Sequence, residues 1–450
     1  MKTYKTYFLF SLLILATGCD TAPKKTVTVS AEKMHELMDK LTDVIVHDIF
    51  SPPVAARIYA YPSIAAYEVL AADDSVYLSL AGQLKALKKL PTPEGREINR
   101  EVAAIESMYL TAKTLVFSED KMEAWHAEWL QYLDQQAIDQ SSYDNSRAYA
   151  DTVSKFIMAW ANADNYNQTR TMSKHFLGTK ANQWEPTPPA YMDAIEPHWN
   201  KMRTFVIDSA NQFIPEKPTS FSTDSTSTFY KETMEVYETV NNATEEQKEI
   251  ASFWDCNPYV MNVTGHVMFA TKKITPGGHW MSIAKIAAST ANASLMKSAQ
   301  AYALTSIALH DAFVACWDEK FRSNLIRPET VINRYIDEEW KPLLQTPPFP
   351  EHTSGHSVIS TASAIALTTI FDDNFQFTDS TEVKYGLPAR KYSSFKEASQ
   401  EAAISRLYGG IHYMPAITEG VKQGEQVGQY VISQLKFKQN QSLTRQAYAE

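Results

Sequence analysis

Apolar residues recur at intervals of three and four over most of this chain. After Ser30, a residue with the short oxygen-bearing side chain of an N-cap, Met34, Leu37, Met38, Leu41, Val44, Ile45 and Ile49 fall on one helical face. Pro52 and Pro53 break that helix, and a second is predicted from Ala55 to Ala72, where Ala55, Ala56, Ala60, Ala65 and Ala66 suit close packing. Helical spacing returns over 96–116, 119–136 and 144–165. It lapses over 166–228. There, 184–202 is rich in proline and aromatic residues and reads equally as an ordered loop covering something or as a plain surface connection, and 215–229 reads as an exposed loop. Helices resume at Thr244. The sequence TPGGHW (275–280) is a turn leading into a helix that begins near Met281, and 294–317 is one long apolar helix. No run alternates as a half-buried strand does. The expected class is all-α, a large multi-helix bundle.

The first residues follow another logic. Lys2 and Lys5 precede an apolar run, 7–16, that is too short to span a bilayer, and the run ends in LATGC at Cys19. This resembles a bacterial lipoprotein signal, with 1–19 the signal peptide, Cys19 the acylated residue and 20–29 a tether; the alternative is an ordinary secretory signal with an incidental cysteine. The resemblance implies an exported lipoprotein at the cell envelope, touching the membrane only through its lipid anchor. No later stretch of 18 or more apolar residues follows. Cys256 and Cys316 are too few for a disulfide framework, and Cys316, in an apolar helical run, reads as a small buried residue. A helical region over 30–228 and a second, site-bearing helical region over 229–437 are expected, without an independent linker between them.

The 450 residues suffice for a large core, and 44% hydrophobic and 21% charged are ordinary globular values. A net charge of −10 argues against a nucleic-acid partner. Three motifs stand out against that acidic background: WDEKFRSNLIRP (317–328), FPEHTSGHS (349–357) and SRLYGGIHY (405–413). They offer three cations, Lys320, Arg327 and Arg406, a hydroxyl and a bare backbone at Ser354 and Gly355, and two imidazoles, His356 and His412. Brought together, these make a pocket for a tetrahedral oxyanion, with one imidazole to bond its central atom and one to move protons. On a continuous helix Lys320 and Arg327 stand two turns apart on one face, with Pro328 then ending or redirecting the chain. Ser354 and Gly355 precede an apolar run, placing them at a helix N-terminus, and Gly409 and Gly410 end a helix. His310 and Asp311 are adjacent on a helix, point about 100° apart, and are given a core role.

The three motifs, in this order and spacing, are similar to those of the superfamily of type 2 phosphatidic acid phosphatases and vanadium-dependent haloperoxidases. The resemblance implies that superfamily's helical fold. It implies vanadate held by Lys320, Arg327, Ser354, Gly355 and Arg406, with His412 bonded to the metal. His356 becomes the acid–base group, and Lys320 polarises hydrogen peroxide for attack by a halide. The product is hypohalous acid, passed to small organic acceptors if any. Trp317 and Phe349 match aromatic positions near the cofactor in haloperoxidases, Tyr259 matches a pocket tyrosine of iodide- and bromide-using bacterial members, and His352 is placed to tune the site once peroxide is bound. These favour a haloperoxidase using iodide or bromide over chloride. The alternative is an exported acid phosphatase in which His412 forms a phosphohistidine; a third reading is an anchored binding protein that has lost catalysis. One departure bears on all three: the superfamily's usual Asp four residues after the histidine is here Ala416, leaving Glu419 or a backbone carbonyl to fix the ring of His412.

Overall fold

The computed structural model describes residues 27–136, 138–264 and 267–439. Cys19 and the expected signal lie outside the described residues. Fourteen α-helices build the described molecule: α1 (Ala31–Asp48), α2 (Pro52–Ala71), α3 (Arg100–Leu115), α4 (Glu119–Gln135), α5 (Gln140–Ala161), α6 (Tyr166–Thr169), α7 (Thr228–Asn241), α8 (Glu245–Phe253), α9 (Pro276–Thr290), α10 (Leu295–Ser323), α11 (Pro328–Tyr335), α12 (Gly355–Phe371), α13 (Phe395–Tyr408) and α14 (Met414–Gln434). Besides three isolated bridges, the strands among the described residues form two antiparallel hairpins, β1 (Val260–Thr264) with β2 (Val267–Thr271), and β3 (Phe377–Asp379) with β4 (Arg390–Tyr392). No helix among the described residues is long and apolar enough to cross a membrane.

The local rules operate where the periodicity placed them. Ser30 caps α1 by accepting the Glu32 N–H, and the face from Met34 to Ile45 is buried. Pro52 and Pro53 do not end that helix. It stops at Ile49, in the left-handed region (φ 56°), and the two prolines instead open α2, where their missing N–H groups cost nothing. TPGGHW differs likewise: Thr275 is the N-cap of α9 and PGGHW forms its first turns, so the helix starts five residues before Met281. Val27 and Val29, at the end of the expected tether, are buried, and the Val29 N–H donates to Glu101.

One apolar core runs from Val29 to Phe437 and takes side chains from both the 30–228 and the 229–437 regions. At its centre α10 is buried along nearly its whole length. His310 and Asp311 face different neighbours on it, as their 100° offset requires. The Asp311 carboxylate accepts the consecutive backbone N–H groups of Phe205, Val206 and Ile207 at 2.7, 2.7 and 2.9 Å, and His310 Nε2–H donates to the Arg203 carbonyl at 3.0 Å. Together they dock the irregular segment onto α10. The proline-rich 184–202 loop is a cover: Trp184 and Trp199 are buried, and the Ile195 carbonyl receives the indole N–H of Trp317 at 3.2 Å. The 215–229 loop is tied down at Glu216, whose N–H donates to Glu419 at 3.1 Å.

Helix α12, which begins at the Ser354–Gly355 step, is set by close contact with α14. Gly420, Gly424 and Gly428 recur every four residues and turn one face of α14 toward α12. A methyl group at Gly420 would lie 2.8 Å from Ser357 Cβ and 3.0 Å from the Ser354 carbonyl, and one at Gly424 would collide with the Val358 carbonyl. Backbone on backbone leaves nothing flexible to give way. Gly424→Ala is therefore expected to destabilise the fold by roughly 2–3 kcal/mol through overpacking. Gly428→Ala, where Ile365 side-chain atoms share the contact, should cost less; chemical denaturation of the two variants checks the order.

Candidate active site

The three motifs meet at one buried place, by a route that differs from a single helical face. Lys320 lies in the last turn of α10, but that helix ends at Asn324, which takes a left-handed conformation (φ 46°), and Arg327 is the N-cap of α11. The two cations thus sit on separate elements. They converge because the chain between them turns back, and both lie over the Phe349 ring, Lys320 Nζ at 5.0 Å and Arg327 Cζ at 5.1 Å from its centroid. Trp317 packs against Phe349 with ring centroids 5.0 Å apart. The two rings form an aromatic face beside the cations.

The FPEHT segment folds around the cations through its carbonyls. Lys320 Nζ donates to Pro350, Glu351 and Thr353 carbonyls at 3.0, 3.1 and 2.5 Å, and Arg327 Nε donates to Phe349 at 2.9 Å. Burial pulls the Lys320 pKa down to about 7. Three carbonyl acceptors nevertheless match the three N–H groups of the ammonium, where a neutral amine has only two. Lys320 therefore supplies charge and holds the loop, with its hydrogen-bonding capacity used internally.

Arg327 keeps one arm free. Its Nη1 donates to the Ile411 carbonyl at 2.7 Å and lies 3.1 Å from His412 Nε2, while Nη2 is buried without a partner. Arg406, in the last turn of α13, donates through Nε to Ser405 Oγ at 2.9 Å and through Nη2 to the Trp254 carbonyl at 2.6 Å. Burial lowers both guanidinium pKa values to about 10, and both remain charged at neutral pH. Ser354 caps α12 through its hydroxyl, which accepts the Ser357 N–H, and its own N–H donates to the Ala416 carbonyl at 3.0 Å. Gly355 opens that helix; a Cβ there would stand 3.8 Å from the Trp317 ring and 4.0 Å from Lys320 Cε. His356 follows in the first turn, with Nε2 unpartnered.

What replaces the usual Asp is Glu351. Its Oε1 lies 2.8 Å from His412 Nδ1 and also accepts the Tyr413 N–H at 3.0 Å. A carboxylate there takes the Nδ1 proton, which leaves the lone pair on Nε2, the nitrogen facing Arg327. Glu419 is not that partner: its oxygens go to the Glu216 N–H and to Lys422. Burial raises the Glu351 pKa to about 7, against the pull of Arg327 and Lys320. His412 is driven well below its ordinary range by burial and then by Arg327, Lys320 and Arg406; His356 is driven down by burial and then by Arg406. Both rings are neutral at neutral pH.

Two further expected residues are held by hydrogen bonds to other parts of the chain. His352 is buried, but its Nε2–H donates to the Glu216 carbonyl at 3.0 Å, and burial lowers its pKa to about 4. Tyr259 lies between α8 and β1, its N–H held by Asn257 at 3.1 Å; among the described residues no hydrogen bond or ring contact joins its side chain to the cations. Sequence reasoning gave no role to Glu351, although it lies inside the quoted FPEHTSGHS motif, nor to Trp254. A carboxylate in an otherwise cationic motif was the available signal for Glu351.

The arrangement has a plain electrostatic demand. The carboxylates whose charges act on the three buried cations are Glu351, Glu319, Glu329 and Asp255; Glu319 is paired with Arg322 and Asp255 with Lys273 at 2.6 Å, and among the described residues none forms an ion pair with Lys320, Arg327 or Arg406. An oxyanion meets that demand, and the unpartnered Arg327 Nη2, the helix N-terminus at Gly355 and the oriented His412 Nε2 are the groups that would receive one. The donor set fits a vanadate group.

The family described as the VCPO second helical-bundle domain matches residues 300–441, which includes every motif residue from Trp317 to His412. A structure described as the first bacterial vanadium-dependent iodoperoxidase is 51% identical, superposes with a TM-score of 0.87, and is matched over 92% of this chain and 99% of its own. A holo-type bacterial vanadium-dependent chloroperoxidase is 16% identical with a TM-score of 0.67 over 90% of this chain and 97% of its own, a likeness of fold alone. The apo-type form gives 14%, 0.62, 85% and 94%. No curated protein sequence matches. With half its residues shared over the full length of a vanadium-dependent enzyme, and the oxyanion-binding groups assembled as described, this chain belongs to the vanadium-dependent haloperoxidase family.

Proposed function

We propose that this protein oxidises halide with hydrogen peroxide, iodide or bromide in preference to chloride, at a vanadate group. Lys320, Arg327, Ser354, Gly355, Arg406 and His412 would hold that group. The observation that carries the reading is the pairing of a buried, unpartnered guanidinium arm on Arg327 with a His412 ring whose Nε2 lone pair is fixed by Glu351. Vanadate, when bound, supplies a Lewis-acidic centre that activates peroxide toward nucleophiles.

The chain's own groups do the rest. Arg327 and Arg406 would direct guanidinium N–H groups at the oxygens of a bound vanadate group, and Lys320 adds fixed positive charge in a water-poor site where it acts strongly. Glu351 holds the tautomer that puts the lone pair of His412 on Nε2, where it accepts from Arg327 Nη1 at 3.1 Å and where it would bond a metal in place of that contact. His356, neutral and with Nε2 unpartnered, is the group able to take a proton from incoming peroxide and return it to the leaving product. The Trp317–Phe349 wall provides a polarizable, apolar face that suits a large halide better than a small, strongly hydrated one. The iodoperoxidase relative supports the same preference. The LATGC pattern ending at Cys19 supports an exported, lipid-anchored placement.

The Glu351–His412 pair also serves the competing route. A phosphohistidine mechanism needs an oriented ring, and the absence of an Asp at Ala416 no longer counts against it. The aromatic wall favours the halide route, and one assay separates the two. Purified protein is expected to oxidise iodide and bromide faster than chloride when loaded with vanadate and not when stripped of it, and His412→Ala should abolish the activity. Hydrolysis of p-nitrophenyl phosphate that vanadate inhibits, with no halide turnover, would overturn the proposal. In a separate calorimetric titration Glu351→Ala is expected to weaken vanadate binding about 10–100-fold. Glu351→Gln, whose amide oxygen still accepts the Nδ1 proton, should lose less; equal losses would show that the carboxylate's charge, not its orientation of the ring, is what matters.

A further inference from the structure

Beside Arg406 lies a second polar cluster that the chemistry above does not use. His279, in the first turn of α9, is fully buried with its ring stacked on Trp254, centroids 4.5 Å apart and planes 18° from parallel. Its Nε2 is 2.8 Å from Asp379 at the end of β3. Its Nδ1 faces Cys256 Sγ at 3.3 Å and Glu382 Oε1 at 3.4 Å. All four residues are buried, and they come from three separate segments: the end of the turn after α8, α9 itself, and the stretch from β3 into the following turn.

Without a metal, burial works against a charged ring, but the charges of Asp379 and Cys256 outweigh it and hold the ring in its charged form, with Nε2–H donating to Asp379 and a second proton on Nδ1. That Nδ1 converges with a sulfur and a carboxylate oxygen, all three atoms within 4.8 Å of one another, and Glu382 Oε1 stands 3.4 Å from it without a formed hydrogen bond. A divalent cation replacing the Nδ1 proton and the thiol proton would meet a nitrogen lone pair, a thiolate and a carboxylate at once. In a tetrahedral zinc site, with bonds of about 2.0–2.3 Å, neighbouring ligand atoms stand about 3.3–3.6 Å apart. The sulfur–nitrogen and nitrogen–oxygen separations here are 3.3 and 3.4 Å. Asp379 would then be the carboxylate that orients a metal-bound histidine through its other nitrogen. A thiolate and an imidazole select zinc over magnesium or calcium.

We propose that Cys256 Sγ, His279 Nδ1 and Glu382 Oε1 bind a zinc ion, with Asp379 positioning His279, as a structural clip distinct from the oxyanion site. The thiol and the charged His279 ring each give up one proton to solvent, from Sγ and from Nδ1, as these atoms become ligands. The clip fastens the segment after α8 to α9 and to the β3–β4 hairpin. Trp254, two residues before Cys256, holds Arg406 through its carbonyl, so the metal stiffens one wall of the oxyanion pocket. The three ligands are spread from position 256 to 382, and no compact spacing marks them in the sequence.

The test uses the full chain, incubated with zinc sulfate, desalted and subjected to elemental analysis, with cobalt(II) as a second probe. About one zinc per chain is expected. A chelator-treated sample should melt at lower temperature than the zinc-loaded one, and cobalt should give a near-ultraviolet thiolate-to-metal charge-transfer band. Cys256→Ala should lose the band and most of the zinc. An unmutated chain that retains no zinc and shows no thiolate–cobalt band overturns the proposal, leaving a proton shared on His279; so does a Cys256→Ala variant that keeps its zinc. The cobalt spectrum of the unmutated chain decides the matter even if the variant does not fold. None of these readouts involves vanadate or halide, so the clip stands or falls separately from the proposed activity.

Discussion

Lys320, Arg327 and Arg406 are all withdrawn from water in the interior of this protein. Moving a charge out of water costs several kcal/mol per ion unless fixed dipoles or a counter-charge replace the hydration. Here the replacement is mostly backbone. Six carbonyls, those of Trp254, Phe349, Pro350, Glu351, Thr353 and Ile411, accept from these three side chains. Carbonyl dipoles soften the burial without cancelling the charge. Glu351 supplies one negative group near the cluster, and the remaining positive potential is what an oxyanion would neutralise.

That constraint explains the surrounding architecture. A loop that must aim carbonyls inward cannot be part of a regular helix, because helical carbonyls are already committed to the backbone ladder. The FPEHT segment is accordingly irregular, and α12 begins as soon as it has passed the cations. The start of α12 is in turn held by α14, whose glycine face brings the two backbones close enough to fix the Ser354–Gly355 step. The 184–202 cover closes over Trp317 from the other region of the chain, and Asp311 pins the segment that follows it to α10. Each part of the pocket is thus also held by contacts elsewhere in the fold.

Much of this was legible beforehand, for stated reasons. Helices α1, α3, α4 and α10 follow from apolar spacing, with a capping serine at α1, signals that act within a few residues and so leave their mark in the local sequence. Ser354 and Gly355 at a helix start follow from the apolar run behind them. The local errors are informative too. Pro52 and Pro53, helix breakers by residue type, are helix starters here, and Lys320 and Arg327, two turns apart on a continuous helix, stand on separate elements because Asn324 turns the chain between them. In each case the residue type allowed two backbone outcomes, and packing chose.

By itself the sequence determined the all-α class, the cations and imidazoles that meet at the pocket, though not the role of Glu351 or Trp254, and the family likeness that pointed to an oxyanion. These rest on short-range backbone preferences and on residue identities in three compact motifs. Only the tertiary structure decided which carboxylate serves His412, that Lys320 spends its donors on carbonyls, that Arg327 keeps one arm free, and that His352 turns toward Glu216. The physical reason is range. A hydrogen bond between Glu351 and His412 spans 61 positions, and nothing in either residue's neighbourhood records its partner until the core has brought the two together.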